Sequence, residues 1–172
     1  MKMIVLLCGC IILFQGCGYP ISKDLVEKTD KTITFEMLQA DPDQYKGKLV
    51  ILGGTIAAVT GLEEGSLIDV DRLSLDYWGK PIRTNKTSGR FLVYTPVYLN
   101  PLVYTPGREI TVAGEIQGTS LKLPEKREPV QYADPVLVSK ELKLWPKKRG
   151  QQEPTWWDPL YDPHSPMSYP IQ

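Results

Sequence analysis

Cysteine is scarce in this sequence, and its distribution excludes several kinds of site. The three cysteines are Cys8, Cys10 and Cys17, and none follows in the remainder of the 172 residues. The chain after Cys17 therefore has no disulfide framework, no thiolate metal site and no cysteine nucleophile. Its fold has to be stabilised by its hydrophobic core alone.

Histidine is nearly absent as well. The single histidine, His164, lies in a proline-rich stretch near the C-terminus. A Ser-His-Asp arrangement would need that residue to be held in a fixed site. A zinc site would need three or four His, Cys or carboxylate ligands. The sequence therefore predicts no enzyme, no catalytic residues, no metal and no cofactor.

The chain also lacks an excess of charge of either sign. Twenty Lys and Arg residues balance twenty Asp and Glu residues, so the formal net charge is zero. Proteins that bind nucleic acid usually carry a strongly basic face. We therefore expect no nucleic-acid partner.

Only one long apolar run is present, and it is short for a membrane span. It covers residues 3–14, whereas a helix that crosses a bilayer needs about 20 apolar residues. Lys2 precedes the run and small residues follow it, which is typical of a secretory signal peptide. We expect residues 1–16 to be cleaved; the alternative is a buried N-terminal helix.

The end of this run resembles a bacterial lipobox, in which a small residue precedes an obligatory cysteine. Here Gly16 precedes Cys17, although Phe14 and Gln15 depart from the Leu and small residue that are usual there. In such precursors the cysteine sulfur receives a diacylglycerol and the cysteine becomes the first residue of the mature chain. The resemblance implies that Cys17 is the lipidation site. Residues 17–32 are mostly polar without clear periodicity, and we expect a lipidated tether there.

The central part of the chain is rich in strand patterns. Thr34 is a suitable N-cap for a short helix that carries Phe35 and Leu38 on one face. Expected strands then cover residues 48–60, 66–73, 90–95, 109–117, 130–132 and 136–144. In the first strand, Gly53 and Gly54 predict a bend or bulge, as at a corner of a small closed barrel.

The fourth expected strand has the clearest alternation. Ile110 and Val112 are predicted to face the core, while Glu109, Thr111 and Ala113 are predicted to face outward. This pattern predicts a sheet with one face in the core and one in solvent.

Two aromatic pairs lie outside the expected strands. Tyr77 and Trp78 are in the loop "DYWGKP", where they could contact a ligand or a partner; alternatively, they fold back onto the barrel rim.

Trp156 and Trp157 are in residues 147–172, where repeated prolines forbid regular structure. This tail begins with a basic run that suits anionic headgroups or simply a solvated linker. Its tryptophans suit a membrane interface or a protein partner.

A cluster of carboxylates precedes this loop. Asp69 and Asp71 share one strand face, a spacing that a two-carboxylate hydrolase could use. The alternative, which we favour, is a solvated strand edge that discourages pairing with other chains.

Several stretches together resemble the Slp family of outer-membrane lipoproteins. They are "DPDQYKGKLVILGGTI", "SLIDVDRLSLDYWGKP", "GRFLVYTPVYLNPLVYTPGREITVAGEI" and "YADPVLVSKELKLWP". The resemblance implies a domain bound by its lipid to the outer membrane, on the periplasmic face. It also implies an OB-like β-barrel and no defined reaction.

The expected fold is all-β: a small OB-like β-barrel over residues 33–146, with a short N-terminal helix and an irregular, Pro- and aromatic-rich C-terminal tail. The expected function is a structural or interaction lipoprotein of the envelope. It would meet the membrane through its N-terminal lipid and an envelope protein through its tail. The alternative is a module that binds a glycan or lipid headgroup on the barrel face.

Overall fold

The computed structural model describes residues 19–84, 88–124 and 126–147. The expectations for the signal peptide, Cys17, Trp156 and Trp157 lie outside the described residues. The described elements are helices α1 (Lys23–Lys28) and α2 (Phe35–Ala40), a 3₁₀ turn (Pro42–Tyr45), and strands β1 (Leu49–Gly61), β2 (Ser66–Leu73), β3 (Arg90–Thr95), β4 (Glu109–Leu121) and β5 (Val130–Leu144).

The five strands form a closed barrel in the order β1-β2-β3-β5-β4. All neighbours are antiparallel except β3 and β5, which are parallel. The ring closes through β1, whose first half pairs with β4 and whose second half pairs with β2. The expected all-β, OB-like barrel is therefore confirmed, and closure leaves the barrel without a free edge.

The glycine pair in β1 lies where this strand is bonded on both sides. Gly53 and Gly54 pair with β2 and β4 at once. A Cβ atom on Gly54 would lie 2.1 Å from the Asp71 carbonyl oxygen, so only glycine allows this approach. The register irregularity in β1 falls later, between Ile56 and Ala58. The bulge expected at the glycines therefore lies further along β1, and Gly54 instead allows β1 and β2 to pack closely.

Helix α2 covers one end of the barrel. The Thr34 side chain accepts a hydrogen bond from the Met37 amide at 3.3 Å, which is the expected N-cap. Phe35 and Leu38 are buried in the main core. The Phe35 ring meets Phe91 of β3 edge-on, with centroids 6.2 Å apart. The three-residue spacing of these apolar side chains directs the helix onto the barrel.

The last two strands are longer than their patterns suggest. Gly118, expected to form a turn, has φ +80° but lies inside β4, where the pairing with β5 changes register. The two expected final strands are one strand, β5. Register shifts let both strands coil around the barrel without ending, because a bulge adds a residue while keeping the flanking pairs.

The segment expected to be a tether contacts the barrel instead. Ile21 is 1% exposed, and the Ser22 amide donates to the Glu141 carboxylate at 2.9 Å. Helix α1 follows, and the Asp30 amide donates to the Leu49 carbonyl at 2.9 Å. The few apolar residues of this segment, Tyr19, Ile21, Leu25 and Val26, are too short a series among polar residues for a clear period, which is why the sequence pattern missed this packing.

Candidate functional site

The connection after β2 presents two exposed aromatic rings. In this aromatic loop (residues 74–83), the Tyr77 side chain is 87% exposed and Trp78 is 59% exposed. Their rings meet edge to face, with centroids 5.3 Å apart. Neither ring folds back onto the barrel rim, so both are available for contact.

The backbone of the aromatic loop is braced by Asp76. Its carboxylate accepts hydrogen bonds from the amides of Trp78 and Lys80, each at 2.8 Å. The Asp76 amide in turn donates to the Lys80 carbonyl at 2.8 Å. Gly79 has φ +74°, a conformation that glycine adopts without strain. The exposed rings therefore stand on a preformed turn.

The same loop is docked on the outer face of β4. The Thr111 hydroxyl donates to the Gly79 carbonyl at 2.7 Å, and the Trp145 indole N–H donates to Thr111 at 2.9 Å. Arg83 forms an ion pair of 2.7 Å with Glu109. Because of this cover, Glu109 is 5% exposed and Thr111 is fully buried.

The expectation that the outer face of β4 is solvated was therefore wrong. Ala113, on the same face, is also fully buried. A two-residue alternation identifies opposite faces of a strand, but a distant loop decides whether the second face meets water.

The start of the described chain lies beside this loop. A Cβ atom on Gly79 would lie 2.7 Å from the Tyr19 ring, so the ring rests directly against the loop backbone. Burial, and to a lesser extent the Asp76 carboxylate, raise the pKa of the Tyr19 hydroxyl. Tyr19 is two residues from Cys17.

A cavity opens between the N-terminal segment and β1. Its volume is about 350 Å³, and most of its lining is apolar. The lining residues are Tyr19, Val26, Thr29, Asp30, Lys31, Ile33, Val50, Ile51, Leu52 and Leu75. Neither the tether expectation nor the strand pattern pointed to this cavity, because it requires the N-terminal segment to lie against the barrel.

The clustered carboxylates have separate roles. Asp71 forms an ion pair of 3.1 Å with Arg90, and Asp76 braces the aromatic loop. Burial raises the pKa of Asp69; Arg90 lowers it, and Asp134 and Asp71 raise it further. Strand β2 pairs with neighbours on both sides, so the expected strand edge was wrong. Within the described ranges, no three His, Cys, Asp or Glu residues are grouped to hold a metal.

A second apolar surface lies on the connection between β3 and β4, here called the β3–β4 turn (residues 96–108). Val97 is 61% exposed, Tyr98 is 65% exposed and Leu102 is 87% exposed. The sequence showed this stretch only as a connection broken by prolines. The signal that could have identified it is the number of large apolar residues in a segment that cannot form a strand.

The Arg83 guanidinium connects the aromatic loop to this turn, since it donates to the Gly107 carbonyl at 3.1 Å.

Of the residues predicted to form contact sites, the structure places Tyr77 and Trp78 together on the surface. Cys17, Trp156 and Trp157 lie outside the described residues. In the part of the chain that the structure describes, no helix has the length and apolar character needed to cross a bilayer.

Comparison with solved structures gives a weak likeness to the Stn1–Ten1 complex of S. pombe. The TM-score is 0.34 at 13% sequence identity, over 58% of this chain and 59% of that chain. This chain thus spans less than two thirds of that neighbour. A search of the curated proteins gives no match.

Comparison with protein families gives a match over most of the chain. The family model described as the outer membrane lipoprotein Slp family matches residues 14–171, from just before Cys17 through the barrel and into the C-terminal tail. This match confirms the resemblance seen in the strand and loop motifs, and the chain belongs to the Slp family of outer membrane lipoproteins.

Proposed function

We propose that this lipoprotein is a non-catalytic interaction module, attached to the periplasmic face of the outer membrane by a lipid on Cys17. The observation that carries the proposal is the aromatic loop. Tyr77 and Trp78 are exposed, yet they stand on a turn that Asp76 and Thr111 hold in place. A preformed aromatic surface binds without first losing loop entropy, which favours contact with another component of the envelope.

The β3–β4 turn supports the same proposal. Its exposed apolar side chains, Val97, Tyr98 and Leu102, have no function in the barrel core. Exposed apolar groups on a small domain are typical of interaction surfaces. Tyrosine and tryptophan in particular contribute strongly at protein interfaces, because each ring combines a large apolar area with a polar edge.

The C-terminal tail starts beside the aromatic loop. Arg108 donates to the Trp145 carbonyl at 2.6 Å, and the Trp145 indole is bonded to Thr111 at 2.9 Å. These bonds fix the point from which residues 148–172 continue. We propose that Trp156 and Trp157 in this tail contact an envelope protein.

The membrane attachment is tested by Cys17→Ser. The Cys17 lipid is the proposed anchor, so the variant should move to the soluble periplasmic fraction, while the wild-type chain stays in the outer membrane fraction. Two or more acyl chains give stable binding, at about 0.8 kcal/mol per buried CH₂. A variant that stays in the membrane with its signal peptide uncleaved would contradict lipid anchoring.

The protein contact is tested by site-specific photo-crosslinking in intact cells. A photoreactive phenylalanine analogue replaces Trp157 or Leu102, and a control carries it at Met37, which is 41% exposed on α2. We expect discrete protein adducts from positions 157 and 102 and none from position 37. Equal labelling at all three positions would indicate random collision and would oppose the proposal.

A second candidate function, ligand binding, is favoured by the cavity next to Tyr19. Its lining includes the apolar residues Val50 and Leu52 and the oppositely charged residues Asp30 and Lys31. A mostly apolar cavity with charged groups of both signs suits a zwitterionic amphiphile such as a lysophospholipid. A lysophospholipid below its micellar concentration should bind the Cys17→Ser chain, and Val26→Trp should block this binding by filling the cavity.

A further inference from the structure

The described chain begins in contact with the loop that carries its exposed aromatic pair. The Tyr19 ring lies against Gly79, and Gly79 directly follows Trp78 in the aromatic loop. Only Gly18 separates Tyr19 from Cys17. Two fully extended residues reach at most about 7 Å. A lipid on Cys17 would therefore enter its bilayer within a short distance of Trp78.

We propose that Tyr77 and Trp78 form a membrane-contact surface, which lies in the headgroup region of the same bilayer that receives the Cys17 lipid. The inference rests on the lipid anchor of the proposed function and identifies the partner of one of its surfaces. The partner of this surface is the lipid bilayer. A protein partner at the same position is the alternative that the experiment below tests.

The shortness of the connection is the first argument for lipid. Ile21 is buried and the Ser22 amide is bonded to Glu141, so the chain is attached to the barrel from this point onward. A long tether would let the domain move far from the bilayer and turn any face toward it. Here only Gly18 lies between Cys17 and Tyr19, whose ring rests against Gly79. This short spacing keeps the surface around Tyr19 next to the headgroups.

The chemistry of the surface is the second argument. Tyrosine and tryptophan rings are favoured at the boundary between acyl chains and water, because the apolar ring and the polar edge each find a suitable environment. Tyr77 and Trp78 are 87% and 59% exposed. Ile82, in the same loop, is 45% exposed and adds apolar area. The Lys80 ammonium lies over the Trp145 ring, 5.5 Å from its centroid, and places a positive charge in the same loop.

The rigidity of the loop is the third argument. Asp76 holds the amides on both sides of Gly79, and Thr111 holds the Gly79 carbonyl. The rings therefore do not need to be ordered when the lipid brings them to the bilayer, so their contact adds to the anchor at low entropic cost.

The fold provides a matched control at the opposite end of β1. Tyr98 is 65% exposed, and its ring lies near Gly61, 3.4 Å from the position of a Cβ there. Gly61 is eight residues beyond Gly53, which pairs with Thr111 under the aromatic loop. Eight strand residues correspond to about 26 Å measured along the strand. An anchored, oriented domain should keep Tyr98 away from the lipid that contacts Trp78.

The experiment uses the lipidated full-length mature chain in vesicles of phosphatidylethanolamine and phosphatidylglycerol, with part of the lipid brominated near the headgroup end of its acyl chains. Trp156→Phe and Trp157→Phe remove the tail fluorophores. The difference in fluorescence between this chain and the same chain with Trp78→Phe gives the contribution of Trp78. We expect bromolipid to quench the Trp78 contribution and its emission to be blue-shifted relative to the Cys17→Ser chain in buffer.

The control chain carries Trp78→Phe together with Tyr98→Trp, and the tryptophan introduced at position 98 should show little quenching. A chain that floats with the vesicles but whose Trp78 emission is unquenched overturns the lipid assignment and leaves the anchor intact. Equal quenching at positions 78 and 98 also overturns it, since the domain is then not oriented. A wild-type chain that fails to float contradicts the proposed anchor itself.

Discussion

At the scale of single residues, Gly53 and Gly54 meet different neighbours although they are adjacent in β1. A Cβ atom on Gly53 would approach the Leu75 Cδ2 atom, a movable group at the end of a side chain, at 2.2 Å. On Gly54 it would approach the Asp71 carbonyl oxygen, which is fixed in β2, at 2.1 Å. The backbone contact is the more restrictive, because relieving it requires the two strands to separate.

Gly54→Ala should therefore lower the free energy of unfolding by about 1–3 kcal/mol, and Gly53→Ala should cost less. Gly61→Ala is the matched control in the same strand, where the added Cβ would lie 3.4 Å from the Tyr98 ring. Urea unfolding of the purified chains measures the three differences. Equal costs at positions 54 and 61 would show that strands β1 and β2 can separate easily.

Asp69 gives a pH-dependent prediction. Burial raises the pKa of its carboxyl group in the folded state. Arg90 opposes this shift, and Asp134 and Asp71 add smaller increases. A raised pKa means that ionisation is harder in the folded chain than in the unfolded chain. The folded state is therefore penalised at a pH above the usual aspartate pKa, and the penalty disappears below it.

Asp69→Asn should raise the melting temperature at pH 7, and the gain should shrink toward zero as the pH falls below about 4. Asp71→Asn is the control, because it removes an ion pair of 3.1 Å with Arg90 and should give no gain. Thermal melts across this pH range measure both. A constant gain at every pH would mean that packing, and not ionisation, explains the effect.

At the scale of elements, one buried hydroxyl joins three parts of the chain. Thr111 of β4 is fully buried; it donates to Gly79 of the aromatic loop at 2.7 Å and accepts from Trp145 after β5 at 2.9 Å. The aromatic loop and the start of the tail therefore depend on the same side chain for their position.

Thr111→Val keeps the shape of the side chain but leaves the Gly79 carbonyl and the Trp145 indole N–H without this partner. Each unmet buried polar group costs about 1–3 kcal/mol. We expect lower stability and faster amide exchange at Trp78 and Lys80. Thr119→Val is the control, because its bond to Asp43, of 3.2 Å, is exposed; its effect should stay within about 0.5 kcal/mol.

At the scale of the whole molecule, the N-terminal segment, the aromatic loop and the base of the tail lie close together. The N-terminal segment contacts the aromatic loop through Tyr19 and Gly79, and the base of the tail contacts the same loop through Trp145 and Thr111. Arg83 extends this region to the β3–β4 turn through Gly107. The barrel thus holds both ends of the described chain against one loop.

This arrangement predicts where the chain can be shortened. A chain that ends after Lys147 should unfold within about 0.5 kcal/mol of the full chain but lose the envelope proteins that co-purify with the full chain. A chain that ends after Leu144 also loses the Trp145 bonds to Thr111, Glu109 and Arg108, at a cost of about 1–3 kcal/mol. Urea unfolding compares the two. If the first truncation unfolds the barrel, the tail is part of the core.

The sequence by itself determined the elements whose signal is local. The strands 66–73 and 90–95 were predicted with the bounds observed for β2 and β3, because apolar β-forming residues end there at glycine, proline or polar residues. The Thr34 cap was predictable because its hydroxyl bonds an amide three residues away. The family match agrees with the order of the motifs along the chain.

Tertiary structure alone decided which surfaces are covered. Alternation along β4 separated two faces, but only the folded chain shows that the second face is buried. Arg83 contacts Glu109 there, and Gly79 and Trp145 contact Thr111. Ile21 joins the barrel and Tyr19 meets Gly79 through contacts between residues far apart in sequence. No local pattern encodes such contacts, because burial depends on which distant segment the closed barrel brings near, and that placement exists only once the strands have paired.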